Sequence, residues 1–270
     1  MRRFEDAVAL VTGSTHGIGL AIARRLDAEG ASVVVNDEGA HDGPAVAAEL
    51  ADAIFVEADV SDAAAVERLV EEAVAEYGRV DVLCNVVGDG GHEYLFESDP
   101  ETWRETFDTS VRSAWLATKH ALPAMPGGGS VVNVSSTNAA RTVPNFFPYN
   151  VAKSAVDGLT RAMAVELGPL GITTNAVQPG AIYLDDPDDE ELRQDPPVDP
   201  LGRWGRPEDV AGVVAFLASD DAAYVTGVSV PVDAGRSAAL SQGQQAGEAP
   251  TWDDVPTGES RPAGARTDEE

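Results

Sequence analysis

The sequence is poor in cysteine and in basic residues, and both shortages restrict what the protein can be. Cys84 is the single cysteine, so no disulfide can form within the chain, which fits a reducing compartment. No apolar run approaches the roughly 18 residues that a membrane helix needs. Lysine and arginine number 18 against 46 acidic residues, and the formal charge of −28 repels nucleic acid and anionic membranes. We therefore expect a cytoplasmic protein that binds neither.

The acidic excess is not accompanied by a shortage of apolar residues. Hydrophobic residues make up 43% of the chain and fall in organised runs, unlike those of a disordered acidic chain. The composition therefore predicts a folded protein with an acidic surface. We interpret that surface as adaptation to a halophilic cytoplasm, where salt screens the repulsion between like charges. Docking of a basic partner is the alternative interpretation.

Short β-branched runs alternate with longer stretches of helical period. The predicted strands are Ala7–Val11, Ser32–Asn36, Ala53–Val56, Val80–Asn85, Ser130–Ser135, Thr173–Gln178 and Gly227–Val232. The predicted helices are Gly19–Ala28, Ala63–Tyr77, Pro100–Leu122, Tyr149–Leu167 and Pro207–Ser219. This alternation predicts one α/β domain over residues 1–235, with a doubly wound parallel sheet and helices on both faces. Residues 236–270 lack apolar periodicity, and we expect a disordered acidic tail there.

A glycine-rich turn, Thr12–Gly19, follows the first predicted strand directly and leads into a helix. Glycines at such a turn let a pyrophosphate approach the backbone, and the helix N-terminus supplies N–H donors. The second predicted strand ends at Asp37, where an acid binds the adenosine ribose hydroxyls and repels a 2′-phosphate. Glu38 follows, and His16 is the one weakly basic residue of these two motifs. The pattern favours NAD over NADP.

Tyr149 and Lys153 are four residues apart at the start of a predicted helix, so their side chains share one helix face. An ammonium beside a phenol stabilises the phenolate and makes the tyrosine a better base. Lys153 is one of only two lysines in the chain, which argues for a function. Ser136 follows a predicted strand, at the edge where open α/β sheets bind ligands.

Together these motifs resemble the short-chain dehydrogenase/reductase family, from Phe4 to about Gly235. Thr12–Gly19 resembles the family's TGxxxGIG loop, and Asp59–Val60 resembles the pair beside the adenine ring. The catalytic Ser, Tyr and Lys are matched by Ser136, Tyr149 and Lys153, including the 13-residue gap between Ser and Tyr. Pro179–Gly180 matches the family's PG turn. Residues 200–211 and 224–227 match its C-terminal signature.

The resemblance implies a role for each matched residue. Tyr149 would be the general acid in reduction and the general base in oxidation, and Ser136 would hydrogen-bond the substrate oxygen. Lys153 would hold the nicotinamide ribose and lower the pKa of the tyrosine. The implied cofactor-binding residues are Gly13, Ser14, Thr15, His16, Gly17, Ile18, Gly19, Asp37, Asp59, Val60, Asn85, Tyr149, Lys153, Pro179, Gly180 and Ile182. The family also implies a homodimer or homotetramer.

Three positions depart from the family pattern. The second Asn of the family's NNAG motif is replaced by Val86, and the Thr after the PG turn is replaced by Leu184. Ser110 stands where the family has a catalytic Asn that helps to bind a relay water. Ser110 could hold such a water with its hydroxyl or through its backbone carbonyl, so we include it among the candidate catalytic residues.

The sequence leaves three functions open. An NAD-dependent alcohol dehydrogenase or ketoreductase acting on a small molecule is favoured, and an NADP-dependent 3-oxoacyl-thioester reductase is the alternative. A non-catalytic dinucleotide sensor or scaffold is the alternative from another class. We expect no metal site, because no His, Cys and Asp grouping has ligand spacing. Substrate specificity is expected in residues 88–96, 138–148 and 184–199.

Overall fold

A computed structural model describes residues 2–39, 42–88, 93–184 and 199–239. The chain divides into one unit over Met1–Ala238 and a second over Ala239–Glu270. Every element below belongs to the first unit. Nearly all of the predicted tail, most of the acidic segment 184–199, and His92 lie outside the described residues. In the described ranges, every helix is too short or too polar to cross a lipid bilayer.

Seven parallel strands form one sheet in the order β3-β2-β1-β4-β5-β6-β7. The strands are β1 (Val8–Val11), β2 (Ser32–Asp37), β3 (Ala53–Glu57), β4 (Val82–Asn85), β5 (Gly129–Val134), β6 (Ile172–Pro179) and β7 (Ser229–Val232). The predicted doubly wound parallel sheet is confirmed. The strand order reverses between β1 and β4, which opens a crevice at their carboxyl ends where ligands of such sheets bind.

The helices are α1 (Gly17–Ala28), α2 (Gly43–Glu49), α3 (Ala63–Tyr77), α4 (Pro100–Phe107), α5 (Ser113–Ala121), α6 (Phe147–Leu167) and α7 (Pro207–Leu217). The short helix α2 was not predicted. It begins after Asp42, whose carboxylate accepts a hydrogen bond from the backbone N–H of Ala45 at 3.1 Å. Seven residues are too few to show a helical period, and propensity alone does not stabilise so short a helix.

Two apolar layers cover the sheet because side chains alternate along each strand. One layer joins strand residues such as Leu10 and Leu83 to α3, α5 and α6. The other layer joins residues such as Val11 and Val33 to α1 and α7. Cys84 belongs to the second layer and is fully buried, which confirms that it is a small core residue. Burial raises the pKa of its thiol to about 12, so the thiol stays protonated and unreactive.

The prediction of one continuous α-helix over Pro100–Leu122 is wrong in the middle of that range. A π-helical turn, Asp108–Arg112, separates α4 from α5. Hydroxyls in this stretch bond carbonyls one turn back, from Thr106 to Thr102 at 2.8 Å and from Thr109 to Glu105 at 2.9 Å. Such bonds bend helices, and π-turns are frequent at functional sites. Ser110 lies at the centre of the turn and is 2% exposed.

Candidate active site

The glycine-rich turn lies between β1 and α1, at the crevice. Gly13 has a φ of +58°, which other residues rarely adopt. A methyl group on Gly19 would lie 2.0 Å from the carbonyl oxygen of Gly13, so only glycine fits there. The buried Ser14 holds the turn to the sheet, because its N–H donates to the carbonyl of Asn36 at 2.8 Å.

The first turn of α1 suits an anion. Gly17 and Ile18 open the helix, and the side chain of the N-cap residue His16 makes no capping hydrogen bond. Uncapped N–H groups and the helix dipole favour a negatively charged group such as a pyrophosphate. The residues of this turn therefore fit the phosphates of a dinucleotide.

Asp37 ends β2 beside this turn and is 7% exposed. The hydroxyl of Thr15 donates a hydrogen bond to Asp37 Oδ2. The backbone N–H of Glu38 donates to Asp37 Oδ1 at 2.8 Å. Both carboxylate oxygens are therefore oriented by neighbouring donors, as a fixed acceptor for ribose hydroxyls requires.

The pair Asp59–Val60 follows β3, and its two side chains point to different environments. The carboxylate of Asp59 is exposed and accepts from the backbone and the hydroxyl of Ser61 at 2.8 and 2.9 Å. Val60 is 4% exposed and belongs to the core layer of α3. The side chain of Val60 thus supports the crevice wall from behind.

Asn85 ends β4 at the centre of the crevice. Its amide nitrogen donates to Asn133 Oδ1 at 2.8 Å and approaches Thr118 Oγ1 at 3.4 Å. The amide nitrogen of Asn133 in turn donates to Thr160 at 2.9 Å. This buried chain ties β4 and β5 to α5 and α6. The buried Asn85 Oδ1 has no hydrogen-bond partner among the described residues.

Tyr149 and Lys153 lie on the first turns of α6. Lys153 is 2% exposed, and its Nζ donates to the carbonyl of Val134 at 3.0 Å. The same Nζ lies 5.5 Å from the centre of the Tyr149 ring. The structure therefore brings the ammonium and the half-buried phenol together, as their spacing predicts. Burying an ammonium this deeply costs free energy that its hydrogen bonds must offset, which argues that the position serves a function.

Ser136 lies two residues beyond β5 and is 8% exposed. Its Oγ accepts a hydrogen bond from the N–H of Asn138 at 3.1 Å, and this bond leaves the hydroxyl hydrogen available to donate. The neighbouring Ser135 donates to the backbone carbonyl of Lys153 at 3.1 Å. This bond holds the segment that carries Ser136 against α6.

Gly88 begins a segment predicted to set substrate specificity and was not among the predicted catalytic or cofactor residues, yet it lies between two candidate catalytic groups. A methyl group on Gly88 would lie 2.7 Å from Lys153 Nζ and 3.0 Å from Ser110 Oγ. The ammonium and the Ser110 hydroxyl therefore face the same small space.

The turn after β6 leads to a segment that lies beside the glycine-rich turn. Pro179 ends β6, and a methyl group on Gly180 would lie 2.7 Å from Cβ of Asp233. Ile182 pairs with Gly205 in an isolated bridge. Leu184 Cδ2 comes within 3.5 Å of where a methyl group on Gly17 would lie. The residue that replaces the family's threonine thus packs beside the glycine-rich turn.

Comparison with known proteins identifies the family. A family model described as Enoyl-(Acyl carrier protein) reductase matches residues 13–237. The human protein named dehydrogenase/reductase SDR family member 4 is 40% identical over 250 residues, which cover 87% of this chain and 89% of that protein. The chain belongs to the short-chain dehydrogenase/reductase family. It is therefore an oxidoreductase that acts on CH–OH or C=O groups.

Two solved structures share the fold of this short-chain dehydrogenase. A 3-ketoacyl-(acyl-carrier-protein) reductase from Brucella melitensis, complexed with NADH, is 35% identical with a TM-score of 0.79, covering 87% of this chain and 99% of that chain. A blue fluorescent protein from a metagenomic library, in complex with NADPH, is 38% identical with a TM-score of 0.80. The match covers 86% of this chain and 98% of that chain. One neighbour is thus described with each form of the cofactor.

Aromatic side chains of this dehydrogenase gather beside Tyr149. The Phe146 ring lies 6.2 Å from the Tyr149 ring, and Phe147 lies 5.9 Å from Trp103. Trp103 was not predicted to be near the site. The N–H of Phe147 donates to the carbonyl of Glu93 at 3.0 Å, which joins the loop after β4 to α6. The surroundings of the phenol are therefore partly apolar.

Proposed function

We propose that this short-chain dehydrogenase uses NAD to interconvert a secondary alcohol and a ketone through Ser136, Tyr149 and Lys153. One observation supports this proposal most strongly. In a chain with two lysines, Lys153 is almost completely buried with its ammonium beside the phenol ring of Tyr149. A protein that only binds the cofactor has no need for a proton donor at this position.

Each of the three side chains has a distinct task in this proposal. In reduction Tyr149 donates its phenolic proton to the carbonyl oxygen, and in oxidation the phenolate takes the proton from the alcohol. The Lys153 ammonium stabilises the phenolate electrostatically and is oriented by the carbonyl of Val134. The Ser136 hydroxyl donates a hydrogen bond to the substrate oxygen as charge develops there.

The cofactor supplies or accepts the hydride when it is bound. We assign its phosphates to the turn Gly13–Gly19, its adenosine ribose to Asp37 and its adenine to Asp59 and Val60. Asn85 and Lys153 would hold the nicotinamide half, together with the turn formed by Pro179, Gly180 and Ile182. Glycine at positions 13, 17 and 19 and the uncapped start of α1 support this assignment.

We further propose that Ser110 replaces the family's asparagine in the proton relay. Its hydroxyl and the Lys153 ammonium face one space beside Gly88. A hydroxyl both donates and accepts hydrogen bonds, so Ser110 can hold a water between itself and the ammonium. The π-turn supports this role, because it brings a residue of the α4–α5 helix to the buried site.

The preference for NAD over NADP rests on Asp37. A 2′-phosphate would carry negative charge towards a buried carboxylate, and Glu38 and Asp59 add further negative charge nearby. Fluorescence titration with NADH and NADPH in potassium chloride tests this preference. We expect tighter binding of NADH, and we expect Asp37→Asn to strengthen NADPH binding by about tenfold.

Glu38→Gln is the matched control, because it removes the same charge from the adjacent but exposed side chain. It should change NADPH binding by less than about threefold, since exposed charges are screened. Tighter binding of NADPH than NADH by the wild type would overturn the assignment of Asp37. Binding of neither by the folded protein would overturn the proposal that a nicotinamide dinucleotide is the cofactor.

A 3-oxoacyl-thioester reductase is the second candidate. It is favoured by the similarity to the 3-ketoacyl-(acyl-carrier-protein) reductase from Brucella melitensis, whose structure is described with NADH. Acetoacetyl-CoA and ethyl acetoacetate, assayed with NADH and NADPH, separate the candidates. Strong preference for the thioester with NADPH would favour this second function. Turnover of ethyl acetoacetate with NADH, without turnover of the thioester, would favour the first.

We also propose that the enzyme is a homodimer or homotetramer in a halophilic cytoplasm. Large apolar side chains are exposed on several elements, including Trp115, Phe216 and Tyr224, which is fully exposed. Exposed apolar surface of this kind is typical of protein interfaces. Light scattering in concentrated potassium chloride measures the assembly, and a monomer under all salt conditions would contradict the proposal.

A further inference from the structure

The imidazole of His16 lies beside the carboxylate that we assign to the adenosine ribose. His16 Nδ1 is 3.6 Å from Asp37 Oδ2 and 3.5 Å from the hydroxyl of Thr15. The His16 side chain is 56% exposed, whereas the Asp37 side chain is 8% exposed. His16 can therefore exchange a proton with solvent while it stays within ion-pair distance of a buried carboxylate.

The charged groups around this pair are mostly acidic. Glu38 follows Asp37, and Glu57 at the end of β3 comes within 3.0 Å of where a methyl group on Gly39 would lie. The apolar side chain of Leu184 lies beside Gly17, the residue after His16. His16 is the one basic residue in the three sequence segments 12–19, 36–39 and 56–60. Beyond them, the Arg112 guanidinium donates to the carbonyl of Ser61.

We propose that His16 makes the choice between NAD and NADP depend on pH. When the imidazole is neutral, the charge of Asp37 is unopposed and repels a 2′-phosphate. When the imidazole is protonated, it offsets that charge and can donate a charge-assisted hydrogen bond to the phosphate. NADPH is therefore admitted more readily at lower pH, where a larger share of imidazole side chains is protonated. This inference rests on the proposed function, in which Asp37 holds the ribose.

The test is the ratio of the dissociation constants of NADPH and NADH, measured by fluorescence at about pH 5.5 and about pH 8 at one ionic strength. A phosphate monoester itself changes charge near pH 6, so part of any change will not depend on His16. His16→Gln measures that part, because glutamine is polar and does not titrate. In the wild type the ratio should fall by about a further three- to fivefold, the range for an exposed ion pair.

Three further variants make the assignment specific. His16→Arg supplies a permanent cation, so the ratio of the NADPH and NADH dissociation constants should be lower than in the wild type at about pH 8. Between the two pH values this ratio should change only as much as it does in His16→Gln. His41→Gln and His120→Gln should behave like the wild type. His120 is the distant control, because it lines a groove between α3 and α5.

The proposal is wrong if the ratio changes equally with pH in the wild type and in His16→Gln. It is also wrong if His41→Gln abolishes the change and His16→Gln keeps it. Failure of the proposed NAD preference would appear separately, as a ratio below one at about pH 8. The change of the ratio with pH tests His16, and its value at the higher pH tests Asp37.

Discussion

Replacing Gly88 with alanine tests whether the backbone must approach the Lys153 ammonium closely. The added methyl group would lie 2.7 Å from Lys153 Nζ and 3.0 Å from Ser110 Oγ. Carbon and nitrogen atoms that are not bonded do not approach so closely, so one of the groups must move. The end of the Lys153 side chain moves most easily, because it is longer and more flexible than the Ser110 side chain or the backbone at Gly88. Its movement would weaken the 3.0 Å hydrogen bond to the carbonyl of Val134.

The size of the effect follows from that hydrogen bond. A bond between a charged donor and a carbonyl contributes about 1.5–3 kcal/mol. If the ammonium loses that orientation, the barrier for proton transfer by Tyr149 should rise by a comparable amount. Because about 1.4 kcal/mol corresponds to a factor of ten in rate, kcat/KM should fall by about 10- to 100-fold. The free energy of unfolding should fall by about 1–3 kcal/mol, since the ammonium is buried.

The assay is reduction of ethyl acetoacetate with NADH, accompanied by urea unfolding. Gly168→Ala is the matched control, because a methyl group at Gly168 would meet no atom within 4 Å of the described structure. That variant should keep full activity and stability. Wild-type kinetics in Gly88→Ala would refute the reasoning, because they would show that Lys153 need not be held at this distance.

Three further predictions concern the relay, acid stability and salt. Ser110→Ala should lower kcat by about five- to tenfold without changing the unfolding midpoint, and Ser110→Asn should restore kcat; equal rates in all three proteins would exclude a relay role. Hydrogen bonds from the Arg3 guanidinium lower the pKa of Glu29 to about 2, so its stabilisation of up to about 3 kcal/mol is complete above pH 4.5 and is lost as the pH falls towards 2. Acid unfolding followed by circular dichroism should show that the stability of Glu29→Gln depends less on pH between about 4.5 and 2 than that of the wild type. The same pH dependence in both proteins would contradict this assignment. Because the formal charge is −28, the melting temperature should rise as potassium chloride is raised to molar concentration, and a melting temperature independent of salt would contradict the halophilic interpretation.

The sheet and the approach of Lys153 to Tyr149 could be predicted because their signals are local. Apolar runs of β-branched residues identified all seven strands of the described residues, with ends that differ by at most two residues from those observed. Tyr149 and Lys153 share a helix face by their spacing alone. Asp37 was recognised by its place at the end of a strand. Each of these inferences needs only a few neighbouring residues and a regular backbone.

The features that escaped prediction depend on packing between distant segments. The hydrogen bond between Asn85 and Asn133 exists because β4 and β5 pair with these residues side by side, a register that the sequence does not reveal. The π-turn around Ser110 depends on where the α4–α5 helix packs. Gly88 is important because the Lys153 ammonium comes from α6, 65 positions later in the chain.

The most direct test of the account is deuterium transfer from NADH labelled with deuterium at both C4 positions, [4,4-²H₂]NADH, to ethyl acetoacetate, measured by mass spectrometry of the alcohol. The wild type should place deuterium on the carbinol carbon. Tyr149→Phe should still bind NADH within about twofold of the wild type, yet lower transfer by at least about a thousandfold, because it has lost the proton donor. Undiminished transfer by Tyr149→Phe would contradict the proposed chemistry. A wild type that binds NADH and transfers no deuterium to any ketone or thioester tested would show a dinucleotide sensor instead.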